Sequence, residues 1–597
     1  MGHSQARNDS LGAAYKQRVV LKEDVFTVWW SATAEKIEFH VEAAAYGYAA
    51  IGLNDRVGMD GADLLVFWLD EHFEPKIADY HGVGNASPQL DEQSDWTLLE
   101  GGIERGGLWF RVQRPLNTCD EKDWKIDEGS VRLLYAYSNR FPQSERSPVY
   151  HGAQGRGGAS VNLLTPQLGN RFESIKWRSD VTTVDFLATN ATVDAVADTT
   201  YWCELHRMPQ LPKHHMLASE IVIQPGNERF VHHMLLYQCA GDLEKLQPLL
   251  GKGSKCFEAD GTIAGVFIDC RTSLITGWAV GAGPNVLPDH LAKPLFGHGQ
   301  QDVFVLIEMH YDNPEFRTGF VDSSGVRLYV TPTLAKDRIE TASLALALPS
   351  TALAIAVPPG ARSHVVYGYA PAYCTSKLAE TGVELKIYSG FLHTHTHGTR
   401  ITLRHVRDGK ELKPLFENKH YDFNYQEPVI PTEPVTVYPG DELILECEMK
   451  NEDVDETVLG GLSTREEMCM VLAEYYRVDG KPAHTFSQLS SSLYNKITEL
   501  FGAKNYTFQG NKALLYDEAD GYMSVKAYLQ KHVDWTKRNP KTGKTLAEEY
   551  QALVSTEAYT GCAFGILGEE EYAQQFFNST PVQVKKRYEE PDECANL

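Results

Sequence analysis

Short runs in which apolar and polar residues alternate dominate roughly the first 480 positions of the chain. An alternation with a period of two predicts β-strands that bury one face. Between Val19 and Tyr137 Gly, Asp and Asn turns separate the runs FTVWWSA, KIEFHVEAA, ADLLVFWLD, LWFRVQR and VRLLYAY. Residues 16–150 are therefore predicted to form a β-sandwich.

Composition and apolar spacing divide the rest of the chain into further regions. Residues 138–180 are rich in Ser, Arg, Gly and Pro and predict a connecting segment. Strand-like runs return in residues 181–340 and 341–480 and predict two further β-sandwiches, of jelly-roll type. Within residues 485–597 three runs have an apolar spacing of about 3.6 residues, which predicts a small helical region. The expected fold class is therefore mainly β.

The acidic balance of the chain narrows its partners. The formal net charge is -24 at pH 7 and the pI is near 5.3. Nucleic-acid phosphates recruit Lys and Arg, so we expect no nucleic-acid partner. The longest apolar run, residues 344–359, is shorter than the roughly 20 residues that span a bilayer and is interrupted by Pro349. No transmembrane segment is predicted.

The cysteines indicate an oxidising compartment. All 10 are scattered, without the CxxC pairs of zinc modules, and an even, scattered set predicts disulfides. Five N-x-S/T triplets are typical of a glycoprotein, and they begin at Asn8, Asn85, Asn190, Asn505 and Asn578. The chain is predicted to be secreted or to lie in the secretory lumen, although the opening MGHSQARNDS contains no apolar signal core.

Three fragments place metal-binding side chains far apart in the sequence: VHHMLLYQC at 231–239, FLHTHTHG at 391–398 and REEMC at 465–469. His393 and His395 alternate, so on a strand both face one side and can chelate one ion. His232 and His233 are adjacent, so they reach one metal only if the strand has a bulge or a twist. Imidazole binds copper in both oxidation states, and a thioether favours Cu(I).

Each fragment also has a plainer interpretation. An isolated His-His pair is more often a surface feature, and the second HHM, at His214 to Met216, shows how readily the tripeptide occurs. A lone methionine such as Met468 most often fills a gap in a core. His397 continues the face of the alternating histidines and is either a third ligand or a polar neighbour. Only the combination of fragments favours a metal site.

Six motifs in a fixed order resemble the copper type II, ascorbate-dependent monooxygenases. They are VHHMLLYQC, EMHYDNP at 308–314, LHTHTHG, HYDFNYQE at 420–427, VYPGDELI at 437–444 and GGLSTREEMC at 460–469. The resemblance implies two coppers, ascorbate as reductant, and hydroxylation of a substrate C–H bond with O2. It assigns the electron-transfer copper to His232, His233 and His310, and the copper that meets dioxygen and substrate to His393, His395 and Met468. His397 is then a polar neighbour, and Tyr475 is retained as a candidate catalytic residue.

The first sandwich resembles the DOMON domain of the dopamine β-monooxygenase branch, through GADLLVFW at 61–68 and the segment 114–137. This implies a possible Ca2+ site at Asp63 and Asp95, since oxygen ligands suit that ion. Solvated surface aspartates are an equally weighted alternative. The family also implies four disulfides: Cys203 with Cys256, Cys239 with Cys270, Cys447 with Cys469, and Cys119 with Cys594. Cys374 with Cys562 is left by elimination, and the pairing stays open because Leu378 replaces a further family cysteine.

The substrate prediction rests on polar and charged side chains that related branches have and this chain lacks. The peptide-amidating branch has an arginine where this chain has Phe391 and an asparagine where it has Met470. The catecholamine branch has a glutamate in the segment that is uncharged here, 341–359. We predict a small, aromatic or apolar substrate. The alternatives are a dopamine or tyramine β-hydroxylase proper and a non-catalytic secreted copper-binding module, and a homodimer through the C-terminal region stays open.

Overall fold

The computed structural model divides into two compact units, Met1–Gln167 with Glu590–Leu597, and Leu168–Glu589. The residues that the structure describes are 15, 17–56, 58–84, 86–104, 106–142, 149–164, 169–193, 196–209, 214–239, 243–256, 270, 274–295, 303–332, 338–378, 383–479, 485–489, 494–509, 512–556, 560–565, 573–577 and 581–594. None of the helices among these residues combines the length and the apolar character of a membrane-spanning segment. Three of the five sequons, those at Asn8, Asn85 and Asn578, lie outside them.

The smaller unit is an antiparallel β-sandwich. One sheet has the order β1-β2-β3-β9-β8 and the other β11-β10-β4-β5-β6-β7. Leu108, Phe110 and Val112 alternate along β9 and are at most 1% exposed, so they belong to the core between the sheets. The strands are β1 Gln17–Lys22, β2 Phe26–Ala32, β3 Lys36–Ala43, β4 Tyr48–Asn54, β5 Asp63–Leu69, β6 Pro75–His81, β7 Gln89–Leu90, β8 Thr97–Glu104, β9 Gly107–Pro115, β10 Ser130–Ser138 and β11 Arg156–Asn162.

Strand β11 lies where the sequence predicted a connecting segment. It pairs with β10, with Gly157 opposite Tyr135. A Cβ atom added at Gly157 would lie 2.6 Å from the Tyr135 ring. The glycines that indicated a loop therefore let an edge strand approach a bulky neighbour.

The first part of the larger unit is a second sandwich. Its smaller sheet has the order β17-β14-β21-β16-β18. The core lies between this sheet and strands β12, β23, β15 and β20 of a longer sheet. The elements are α1 Gly169–Lys176, β12 Thr182–Leu187, β13 Ala191–Thr192, β14 Thr199–Arg207, β15 His214–Val222, β16 Val231–Gln238, α2 Leu243–Leu246, a 3-10 turn Gln247–Leu249, β17 Gly253–Lys255, β18 Leu274–Ala279, β19 Asn285–Val286, β20 Leu291–Leu295, β21 Phe304–Asp312, β22 Val321–Asp322 and β23 Gly325–Thr331.

A third sandwich follows and continues the longer sheet. Its core lies between β24, β33 and β27 of that sheet and the four-stranded sheet β26-β31-β28-β29. The elements are β24 Ile339–Ala347, β25 Ala356–Val357, β26 Ala361–Ala370, α3 Ala372–Leu378, β27 Leu385–His393, β28 Gly398–Arg407, β29 Lys410–Asn418, β30 Val435–Val437, β31 Glu442–Asn451, β32 Val458–Leu459 and β33 Met470–Arg477.

Two of these sandwiches share one sheet because β20 and β24 pair in parallel. The register joins Leu291 to Ile339 and Ala292 to Glu340. The domain boundary predicted between residues 340 and 341 therefore falls inside β24, where the sheet is continuous. The mainly β fold predicted from the alternation of residues is confirmed.

The C-terminal region contains the three predicted helices and also strands. The three-stranded sheet β35-β36-β37 and a hairpin accompany the helices. The elements are β34 Thr485–Leu489, α4 Tyr494–Leu500, β35 Tyr506–Gln509, β36 Lys512–Asp517, β37 Gly521–Ser524, α5 Val525–His532, α6 Leu546–Thr556, β38 Thr560–Gly565 and β39 Ala573–Phe577. These strands are four to six residues long, too short for a clear alternation.

Four of the predicted disulfides are present, and they join Cys119 to Cys594, Cys203 to Cys256, Cys239 to Cys270 and Cys447 to Cys469. Cys374 is also disulfide-bonded. The side chain of its predicted partner, Cys562, lies outside the described part of the chain.

Candidate metal centre

A β-bulge brings the adjacent histidines to one side of their strand. Strand β16 pairs with β21 in a register that shifts between Val231 and His233, and His233 lies opposite His310. A bulge inserts one extra residue and so breaks the alternation of faces. His232 therefore lies on the same side as His233, as the sequence required for a shared metal.

The three imidazoles of this first set converge through their Nδ1 atoms. Nδ1 of His233 is 3.4 Å from Nδ1 of His232 and 3.2 Å from Nδ1 of His310. An imidazole nitrogen lies about 2.0 Å from a bound transition metal, so two such nitrogens at tetrahedral angles are about 3.3 Å apart. The spacing fits one ion. Tyr201 stacks on His310 with a centroid distance of 4.5 Å and so holds the plane of that ring.

Burial keeps the first set neutral. Loss of solvation and the neighbouring imidazoles hold the pKa values of His233 and His310 well below the ordinary histidine value. The same causes lower the pKa of His232 to about 3. The rings are neutral at pH 7, and neutral imidazole is the form that binds metal.

The second set lies at the end of β27, and hydrogen bonds select its ligand atoms. Nδ1 of His395 lies 2.8 Å from the carbonyl oxygen of Glu466, which can only accept, so Nδ1 carries the proton. The Nε2 atom of His395 is buried and finds no hydrogen-bond partner among the described residues. Such an orphaned atom beside a second imidazole suits a metal, and the rings of His393 and His395 are 5.2 Å apart. Burial lowers the pKa of His393 to about 4.

The residues on either side of Met468 place it at the same end of β27. Met470 pairs with His393 across β27 and β33. The Glu467 carboxylate, which is fully buried, accepts the backbone N–H of His395 at 2.9 Å and that of His397 at 2.6 Å. Met468 itself is 5% exposed. The loop that carries the thioether is therefore tied to the loop that carries the histidines.

Comparison with known proteins agrees with this geometry. Three family models match the sequence. The copper type II ascorbate-dependent monooxygenase N-terminal domain matches residues 184–318 and its C-terminal domain matches residues 341–498. The DOMON domain matches residues 22–138. The human "DBH-like monooxygenase protein 1" is 33% identical over 475 residues, 78% of this chain and 74% of that protein. Dopamine beta-hydroxylase of Canis lupus familiaris is 34% identical over 430 residues, 71% of this chain and 65% of that protein. The chain belongs to the copper type II ascorbate-dependent monooxygenases.

A solved structure adds little to this assignment. The cytochrome b domain of pyranose dehydrogenase from Coprinopsis cinerea covers 26% of this chain and 86% of that domain, at 16% identity and a TM-score of 0.21. A likeness at that score carries no argument. The family assignment makes the chain a copper- and ascorbate-dependent oxidoreductase, and the non-catalytic alternative loses its support.

The other candidate residues of this monooxygenase have different surroundings. His215 is buried with Nε2 2.8 Å from Glu340, so the second HHM is an internal polar contact and not a surface pair. Nδ1 of His397 is 3.4 Å from Glu467, as a polar neighbour would be. Tyr475 is fully buried in the core of the third sandwich, five residues along β33 from Met470, or about 17 Å. Its catalytic role stays a prediction.

The DOMON aspartates are arranged differently from the predicted pair. Asp63 bonds the Arg114 guanidinium and the backbone N–H of Trp124, so its carboxylate is occupied. Two groups of carboxylates have oxygens within 4.8 Å of one another, namely Asp63, Asp79 and Asp123, and Asp95, Asp120 and Asp123. Asp79 is 2% exposed, and its Oδ1 has no hydrogen-bond partner in the described part of the chain. Burial raises the pKa of Asp79 to about 8.

Several residues that contact the candidate ligands were not identified from the sequence. Phe423 stacks on His232, and Gln426 bonds His393. Both belong to the HYDFNYQE motif, and Glu467 belongs to the REEMC motif. Their place in these motifs was the only signal, because nothing in the chain order shows which histidine each side chain contacts.

Proposed function

We propose that the chain hydroxylates a C–H bond of a small, aromatic or apolar molecule. In this proposal His232, His233 and His310 hold one copper, and His393, His395 and Met468 hold the other. The observation that carries it is the pair of buried, neutral ligand sets, one of imidazoles only and one that includes a thioether. When bound, copper supplies one-electron chemistry between ascorbate and O2, and a thioether favours the Cu(I) state.

The protein's own contribution to this reaction is to keep these side chains neutral, to orient them and to exclude water from them. All six side chains are at most 7% exposed. Hydrogen bonds to carbonyl and amide oxygens fix the imidazole planes of the second set, and such partners support the metal affinity of histidine ligands.

The apolar substrate is supported chiefly by Phe391. It lies two residues before His393 on β27, so both side chains face the same side, and their ring centroids are 6.2 Å apart. The uncharged segment 341–359 supports it less than the sequence suggested. Leu344, Leu346 and Ile355 belong to the core, and burial alone accounts for the lack of charge there.

The substrate class is tested by comparing amines with a neutral molecule. We expect kcat/KM for a neutral phenylethyl analogue to exceed those for dopamine and tyramine at saturating ascorbate and O2. An ammonium buried without a carboxylate is costly. A preference for either amine of more than about tenfold, roughly 1.4 kcal/mol, would contradict the apolar pocket.

That outcome would favour the second candidate, an amine β-hydroxylase. The relative named dopamine beta-hydroxylase, at 34% identity, is the observation in its favour. In either case O2 uptake must depend on ascorbate, and a copper-binding module without turnover would show none.

We further propose a cation site in the DOMON domain, formed around Asp79 and Asp123 and not around Asp63. The unpartnered Oδ1 of Asp79 and the convergence of the carboxylates support it, and Ca2+ is the ion that such oxygen ligands suit. Secretion is supported by the disulfides. A homodimer through the C-terminal region stays a proposal, to be tested by sedimentation.

A further inference from the structure

The two ligand sets approach each other closely, and one aromatic ring contacts both. The rings of His233 and His393 have a centroid distance of 5.7 Å. Phe423 stacks on His232 with centroids 4.1 Å apart and planes 16° apart, and it meets His395 at 6.0 Å and 82°. Because Phe423 is only 7% exposed, this ring fills the space between one histidine of each set.

Gln426 determines which nitrogen of His393 can bind a metal. Its Nε2 donates to the carbonyl oxygen of Phe423 at 2.7 Å, and a carbonyl can only accept. The amide oxygen Oε1 therefore faces Nδ1 of His393, also at 2.7 Å, and Nδ1 must carry the proton. The lone pair of His393 is left on Nε2. Gln426 is 2% exposed, so water cannot easily replace it.

Backbone hydrogen bonds connect Gln426 to the first set through Val280. The carbonyl of His232 accepts the N–H of Val280 at 2.8 Å, and the carbonyl of Val280 accepts the N–H of Gln426 at 3.0 Å. Gly281 has φ +93°, and a Cβ there would lie 2.9 Å from the Cα of Tyr425. A chain of hydrogen bonds and one stacked ring thus link His232 to His393.

We propose that Phe423 and Gln426 are positioning residues that hold the two ligand sets in a fixed relation, so that a change at one set is transmitted to the other. Gln426 fixes the tautomer of His393 and also the carbonyl of Phe423, whose ring fixes the plane of His232. The inference rests on the ligand sets given under the proposed function.

The direct role of Gln426 is tested by two substitutions. Gln426→Leu removes the acceptor of Nδ1–H, and we expect it to weaken copper at the thioether set about 10- to 100-fold, with a smaller Cu–S contribution in the X-ray absorption of the reduced protein. Gln426→Glu keeps an acceptor oxygen and should retain that copper. Asn424→Ala is the matched control, because this side chain lies between the two residues and is exposed.

The transmitted effect is tested where only the first set can hold copper. In a Met468→Ile background, Gln426→Leu should change the Cu(II) EPR spectrum of the remaining copper. The substitution removes the amide that bonds the Phe423 carbonyl, and the Phe423 ring lies on His232. Phe423→Leu should change the same spectrum directly. A purely local role of Gln426 predicts identical spectra with and without Gln426→Leu, and that result would overturn the proposal.

One measurement needs no variant. In copper-free protein with 15N-labelled histidine, His393 should be protonated at Nδ1, and protonation at Nε2 would overturn the role of Gln426. Wild-type protein that fails to bind two coppers refutes the proposed function instead. If the wild type binds two coppers, and Gln426→Leu changes neither copper affinity nor the EPR spectrum, only this inference is refuted.

Discussion

At the scale of single residues, hydrogen-bond partners decide the chemistry of each imidazole. His395 and His393 are protonated at Nδ1 because a carbonyl and an amide oxygen accept there, whereas the first set converges through Nδ1. In the proposed sites the same residue type would thus present a different atom to a metal in each set. The pattern of histidines in the sequence contains no information on this choice.

Met468 is expected to be a ligand and not a core methionine. Met468→Ile should leave about one copper tightly bound and abolish hydroxylation, because two imidazoles alone hold the other ion poorly. X-ray absorption of the reduced protein should lose its Cu–S contribution. Met216→Ile, a buried methionine of β15, is the control and should keep both coppers. A Cu–S signal that survives in Met468→Ile would make Met468 a core residue.

At the scale of elements, short irregularities carry the site. The bulge in β16 turns two adjacent histidines to one side, and the loop after β32 carries Glu467 and Met468 to the end of β27. The disulfide between Cys447 and Cys469 attaches this loop to β31. The ligands are therefore held by strand ends and bridged loops.

Removal of that disulfide should affect the thioether copper before the other. The bridge closes a loop with a sequence separation of 22, which corresponds to about 3 kcal/mol of stability. Cys447→Ser with Cys469→Ser should lower the free energy of unfolding by about that amount and weaken copper at the set that contains Met468. Cys119→Ser with Cys594→Ser, in the other unit, should leave both coppers bound.

Helix α6 makes the stability of the larger unit sensitive to acid. Its Tyr550 stacks on His364 of β26 with a centroid distance of 5.5 Å, and burial lowers the pKa of His364 to about 4. The contribution of neutral His364 to the free energy of unfolding is complete above the unfolded pKa of 6.5. It is lost as the pH falls toward 4, because only the unfolded chain takes up the proton in that range. The loss is about 3 kcal/mol.

His364→Phe should remove this part of the pH dependence. The stack on Tyr550 is kept and the titrating group is gone, so the variant should be nearly as stable as the wild type at pH 7 and more stable than it near pH 4. Denaturant unfolding at several pH values measures the difference. If the free energy of unfolding falls equally steeply for the two proteins between pH 6.5 and 4, folding does not shift the pKa of His364.

At the scale of the whole molecule, the chain forms two units, and the candidate metal-binding residues are divided between them. Both ligand sets lie in Leu168–Glu589, and the acidic cluster of the DOMON domain lies in the other unit. The final residues, Glu590–Leu597, belong to the first unit, to which Cys594 is bridged through Cys119. A metal that binds one unit need not stabilise the other.

Calcium should therefore stabilise the DOMON unit selectively. At a concentration of about 100 times Kd, binding contributes about 2.7 kcal/mol, which for a domain of this size raises Tm by roughly 5–10 °C. Calorimetry with Ca2+ and with a chelator should show this shift in one transition. Asp79→Asn should abolish it, whereas Glu71→Gln, whose side chain is 87% exposed, should not. A shift that persists in Asp79→Asn would place the ion elsewhere.

The sequence by itself determined the mainly β fold, four of the disulfides and the identity of the candidate ligands. Alternation with a period of two reflects one buried face, and the four disulfides predicted from family motifs are present in the described part of the chain. The expected bulge at His232 follows from the same periodicity, since adjacent side chains on a regular strand diverge.

Only the tertiary structure decided how the parts meet. The pairing of β20 with β24, the approach of Phe423 to His232 and the occupation of Asp63 by Arg114 each join residues that are distant in the chain. Local periodicity does not encode such contacts, because they depend on which sheets pack together and on the direction in which each side chain leaves its strand. For that reason the sequence named the histidines, and the fold showed which atom of each one is available to copper.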